Sequence, residues 1–213
     1  MVVLGYAALL DVRFREVTPR YWVLAGVPGA LVSVPIYVLG YDFRVLAVYY
    51  LASIIVVAVV YVMYRFCMMG GADVLALALI SVLAPIRPGS FMPFIYLAVL
   101  YSVIPGLAYQ VYSGFKVCGS LDFKCAARLK YRVKAGRLLG DEGFKWWLVD
   151  VEGGCSIDED LRSAVAKASK GDPEAYVVAS PGHPYVAHLA IGYAIALVLG
   201  DLPIFWVLGF LKG

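Results

Sequence analysis

Asp11 closes one short apolar run of this chain, and Asp73, preceded by Gly70-Gly71-Ala72, opens another. Carboxylates at membrane depth are costly and are read first as functional groups with a partner; here each is the other's candidate partner. Two carboxyl groups held close together cannot both ionise easily, so they share a proton and titrate as a unit. That arrangement suits amide hydrolysis: the charged member takes a proton from water, and the neutral member donates to the carbonyl oxygen. The pattern predicts a helix from about Ala72, with Asp73 in its first turn. There the macrodipole favours a carboxylate by roughly 0.3–1 kcal/mol, so Asp73 is the expected ionised partner. Gly70 and Gly71 lack Cβ atoms, which lets an extended substrate backbone approach the aspartate and loosens the helix entrance. The plainer reading of either aspartate is a helix cap or an ion-pair member, and Asp11 has Arg13 and Arg15 near it.

The elements that must position these groups are membrane helices. With 62% hydrophobic and 15% charged residues and a mean hydropathy of +0.83, the chain departs from soluble domains, of which about a quarter is charged. Apolar runs near the roughly 20 residues needed to cross a bilayer lie at Tyr21–Leu39, Val45–Tyr64, Phe91–Tyr112 and Tyr185–Leu199. Met1–Leu10 is short, so the first helix must continue past Asp11 or the start must be wrongly assigned. The stretch Val45–Ile86 is too long for one span, and Arg65 with Gly70-Gly71 marks its turn, which makes Ala72–Ile86 a separate helix. The expected fold is therefore an all-α polytopic membrane protein with six transmembrane helices and a small α+β cytoplasmic domain inserted before the last. Residues 1–112 hold five helices and both aspartates, residues 113–184 the soluble domain, and residues 185–213 the sixth helix and C-terminus.

Orientation follows from the basic residues, because short loops rich in Lys and Arg stay cytoplasmic. Arg13, Arg15, Arg20 and Arg65 fall on one side together with eleven more in Ser113–Pro184, against Arg44, Arg87 and Lys212 on the other. The N-terminus is then outside, and Asp11 and Asp73 share the cytoplasmic face.

Within the soluble segment, Leu121–Leu138 intersperses Lys124, Arg128, Lys130, Arg132, Lys134 and Arg137 with apolar residues. A basic amphipathic helix lying on anionic lipid headgroups is the simplest expectation. Phe144–Val151 and Glu174–Ala179 read as strands. Ser156-Ile157-Asp158-Glu159 has the spacing of a capping box, and the helix it starts should end at Gly171. Cys67, Cys118, Cys125 and Cys155 form no C-x-x-C pair, which argues against a zinc ribbon, and a cytoplasmic setting argues for free thiols. His183, His188, Trp146, Trp147 and Asp201 are read as structural or interfacial, and Asp158, Glu159 and Asp160 as helix-capping charges. No metal, cofactor or nucleic-acid partner is expected; membrane lipid is.

Gly70-Gly71-Ala72-Asp73 resembles the glycine, any residue, hydrophobic, aspartate motif of intramembrane aspartyl proteases of the type IV prepilin peptidase kind. Asp11 with Arg15-Glu16-Val17 is similar to the first-aspartate region of the archaeal branch, the preflagellin (prearchaellin) peptidases. Pro181-Gly182-His183-Pro184-Tyr185 resembles, more loosely, that branch's proline-rich entry to the final helix. The resemblance implies removal of short basic leader peptides from archaellin or pilin precursors at the cytoplasmic face, just after a glycine, without metal. Gly70, Gly71 and Ala72 would then be motif residues; Arg15 and Glu16 are read either as orienting Asp11 or as a solvated ion pair. Bacterial members with paired-cysteine domains also methylate the new N-terminus, and this chain lacks those pairs, so cleavage without methylation is expected. Two alternatives stay open: a cation-coupled transporter in which the aspartates relay ions, and a presenilin-like protease cutting within membrane spans.

Overall fold

Long runs of Leu, Val, Ile, Ala and Tyr with almost no charge leave the backbone no aqueous partner, so the chain bonds to itself as helices. The computed structural model describes residues 2–14, 17–65, 69–87, 90–118, 123–126, 128, 130–140, 147–151, 154–155, 161–202 and 205. Three of its helices are long and apolar enough to cross a membrane: α2 (Pro19–Gly40), α3 (Phe43–Arg65) and α5 (Phe94–Cys118). Two shorter apolar helices are α4 (Gly71–Leu83) and α9 (Tyr185–Leu199). The first helix, α1 (Val2–Phe14), runs on past Asp11. Leu24, Leu31 and Leu39 on α2 and Ile54 and Ile55 on α3 are exposed, as expected of side chains whose solvent is lipid.

The chain divides into two compact units, one of Met1–Val62, Gly71–Pro105 and Pro184–Gly213, the other of Met63–Gly70 and Gly106–His183. The division within α5 falls at Pro105, where the ring removes a helical donor. In the first unit α9 packs against both α1 and α4, and α4 also against α2. Association of helices in lipid relies on close approach and on hydrogen bonds across helices, and both are present. At Gly192 of α9 an added Cβ would lie 2.3 Å from the Ala98 carbonyl oxygen and 2.6 Å from the Ser102 nitrogen of α5, so the two backbones meet without a side chain between them. Tyrosine hydroxyls then donate to carbonyls of other segments: Tyr21 to Val3 at 2.6 Å, Tyr96 to Ala52 at 3.0 Å and Tyr101 to Gly200 at 2.9 Å.

The second unit contains a four-stranded antiparallel sheet in the order β1-β4-β2-β3, from β1 (Tyr131–Lys134), β2 (Trp147–Val151), β3 (Gly154–Cys155) and β4 (Tyr176–Pro181). Short helices α6 (Phe123–Ala126) and α7 (Ala135–Gly140) flank β1, and α8 (Leu161–Ser169) precedes β4. Its core joins Tyr131, Val133, Leu138, Val149, Ala164, Val165, Val177 and Ala179. The chain leaves α8 through Lys170 (φ 53°) and Gly171 (φ 84°), a left-handed exit close to the expected stop.

Two expectations are corrected. Leu121–Leu138 is not one amphipathic helix: Tyr131 and Val133 are buried while Arg132 and Lys134 are exposed, a period of two that pairs with β4 rather than a period of 3.6. Cys118 and Cys125 are not free thiols but a disulfide, because α5 runs on to Cys118 and α6 turns back, bringing their Cα atoms to 6.2 Å. The capping box at residues 156–159 and Cys67 lie outside the described residues.

Candidate active site

Asp11 and Asp73 are each only 7% exposed. Burial at that level in apolar helices is rare for a carboxylate without a functional or paired role. Asp11 stands on the last turn of α1 and Asp73 in the first turn of α4, and α9 packs against both helices.

The first turn of α9 is the common neighbour. The Ala187 N–H donates to Asp11 Oδ2 at 3.2 Å. A helix leaves its first four N–H groups without an intrahelical acceptor, and Pro184, at the N-cap of α9, supplies no side-chain cap. Asp11 therefore caps α9 from another helix, 176 positions away. Tyr185, which opens α9, meets the Ser102 side chain with its hydroxyl and stands within electrostatic range of Asp73. Both carboxylates thus face a helix N-terminus, Asp73 that of its own helix and Asp11 that of α9. The macrodipole argument, which selected Asp73 as the ionised member, applies to either one and no longer discriminates between them.

Gly71 and Ala72 open α4 and Gly70 precedes it, while Arg15 and Glu16 lie outside the described residues. His188 is buried on α9, and His183 packs against the Tyr109 ring at 5.2 Å between centroids. Trp147 belongs to β2, and Trp146 and residues 158–160 lie outside the described residues. Sequence reasoning missed Tyr185 and the Ala187 amide. The available signal was Pro181-Gly182-His183-Pro184: two prolines and a glycine within four residues disfavour continued helix there, so they mark where α9 starts and its amides are left open.

A second buried carboxylate site lies at the other end of α9. Asp201, 6% exposed, accepts hydrogen bonds from Ser90 Oγ and from the Phe91 N–H, both at 2.8 Å. Arg87 donates to the Val198 carbonyl at 3.4 Å. The interfacial reading of Asp201 understates it, because it fastens the α4–α5 connection to the end of α9.

Asp11 and Asp73 are thus two buried carboxylates on separate apolar helices, α1 and α4, that both pack against α9. No curated protein and no solved structure matches the chain. A family model described as the type IV leader peptidase family matches residues 1–111, just over half of the 213.

Proposed function

This chain belongs to the type IV leader peptidase family, and from that premise we propose that it is a membrane aspartyl endopeptidase with Asp11 and Asp73 as its catalytic pair. Its substrates are archaellin or type IV pilin-like precursors, whose short basic leaders it removes at the cytoplasmic face without methylating the new N-terminus. The observation that carries the assignment is the burial of two carboxylates on different helices that both border the first turn of α9.

In this mechanism one carboxylate takes a proton from water as it attacks the scissile carbonyl. The other, neutral, carboxyl hydrogen-bonds the carbonyl oxygen and then supplies a proton for the departing amine. Burial among apolar helices strengthens both interactions, because the local dielectric is low. Gly70, Gly71 and Ala72 leave room for an extended substrate backbone beside Asp73. The shorter helices α1, α4 and α9 join α2, α3 and α5 as six spans, with the N-terminus outside and the soluble domain in the cytoplasm.

The test is cleavage of a co-expressed archaellin or pilin precursor in membranes, followed by mobility shift and N-terminal sequencing. A product that begins just after the leader in wild type and is lost in both Asp11→Asn and Asp73→Asn supports the assignment. A folded wild type that cleaves none of several precursors returns the cation relay and the cutting of membrane spans to the front.

A further inference from the structure

The basic residues that sequence alone lays along one helix are instead gathered around a cavity of about 290 Å³ in the second unit, lined by Arg128, Lys130, Arg132 and Arg137. None of the described lining residues is acidic. A cavity of that size is small for a drug-sized ligand. It holds a phosphate group with several waters, a water's share of liquid being about 30 Å³.

The position of the cavity along the chain specifies a depth. Val117 and Cys118, the last residues of α5, form part of its wall, and α5 is long and apolar enough to span. One residue earlier, Lys116 Nζ lies 5.1 Å from the centre of the Tyr112 ring. A lysine and a tyrosine at the end of a span are interfacial anchors, so the cavity adjoins the end of α5 that such anchors would hold at the level of lipid phosphates. The wall is also held in place. The disulfide between Cys118 and Cys125 ties α6 to the end of α5, and Gln110 Nε2 donates to the Arg128 carbonyl at 2.8 Å. Guanidinium groups gathered around a concavity can match phosphate oxygens in pairs.

We propose that this cavity binds a phosphate-bearing anion, with the phosphate of a membrane lipid headgroup or a free phosphate as its source. A basic leader peptide is repelled by the same charges, so the cavity is not the leader's seat. Occupation by a lipid pins the soluble unit to the membrane surface through a specific headgroup contact instead of a helix face.

The test uses the full-length protein in neutral detergent, with bound species counted by native mass spectrometry. Short-chain phosphatidylglycerol is titrated against diacylglycerol of the same chain length, and inorganic phosphate is added alone and as competitor. Saturable retention of the phospholipid but not of diacylglycerol, with weak competition by phosphate, assigns the lipid source. Saturation by inorganic phosphate alone assigns the soluble source. Replacing Arg128, Arg132 and Arg137 together by Gln should weaken binding about tenfold or more, while replacing all three by Lys should retain most of it. Should the Gln variant not fold, raising ionic strength several-fold on wild type must weaken binding. Absence of saturable binding, binding unaffected by the Gln replacements, or binding indifferent to salt overturns the proposal.

Discussion

The two ends of α9 each hold buried carboxylate, and they use it differently. At one end Asp201 accepts two hydrogen bonds of 2.8 Å from a hydroxyl and an amide of a single loop, the geometry of a fastening. At the other, Asp11 and Asp73 come from separate helices, and Asp11 accepts from the α9 amide at 3.2 Å. Exposure does not separate the two sites, since all three aspartates are 6–7% exposed. The number of chain segments that bring carboxyl groups to the site does. Asp201 fastens one distant loop to the end of α9, whereas Asp11 and Asp73 are brought by two separate helices to the first turn of α9.

The sharpest break of that comparison is Asp11→Asn or Asp73→Asn. Either should lower cleavage by about 10³-fold or more while the protein remains membrane-inserted with a melting temperature near that of wild type. Asp201→Ala should do the reverse: loss of the acceptor for Ser90 and Phe91 costs about 1–3 kcal/mol for each group left buried and unpaired. Its melting temperature falls, with cleavage per folded molecule close to wild type; a variant that is stable but inactive would contradict the division of labour. Gly192→Ala tests the link between the two ends. The added methyl meets backbone of α5 and not a flexible side chain, so a cost of about 1–3 kcal/mol is expected, together with reduced activity as α9 shifts its first turn from Asp11.

Chelation with EDTA should leave cleavage unchanged. The smallest effect belongs to the second unit. The Lys134–Glu174 pair at 2.6 Å raises the Lys134 pKa above 10.5, through its hydrogen bond and then the charge of Glu174. A raised folded-state pKa stabilises below the unfolded value and is lost as pH rises through the folded one. Lys134→Met should therefore scarcely move the melting temperature near neutrality and should remove part of wild type's loss of stability above pH 10.5.

Much of the helical unit was legible in the sequence. The runs at Tyr21–Leu39 and Val45–Tyr64 became α2 and α3, and Tyr185–Leu199 became α9, because a membrane helix must be apolar all along its length and that property is local. The second unit was less legible. Arg128 to Arg137 carries a charge pattern that fits a helix face, yet Tyr131 and Val133 are drawn inward by pairing with Val177 and Ala179 of β4, some 45 residues later. Tertiary burial overrode local pattern there; the disulfide, between cysteines only 7 positions apart, was missed because a cytoplasmic setting argued for free thiols.

By itself the sequence determined that the chain is a membrane protein, which residues form its apolar helices, and that Gly70-Gly71-Ala72-Asp73 and Asp11 are the places to look for chemistry. Hydropathy and motif act within a few residues, so they survive without knowledge of the fold. Only the tertiary structure decided that Asp11 caps α9, that Tyr185 lies toward Asp73, that Asp201 is a fastening, and that basic residues line a cavity instead of a helix face. The Asp11 and Asp201 contacts join groups 176 and 110 positions apart, and no local pattern records which distant backbone amide a buried carboxylate will meet.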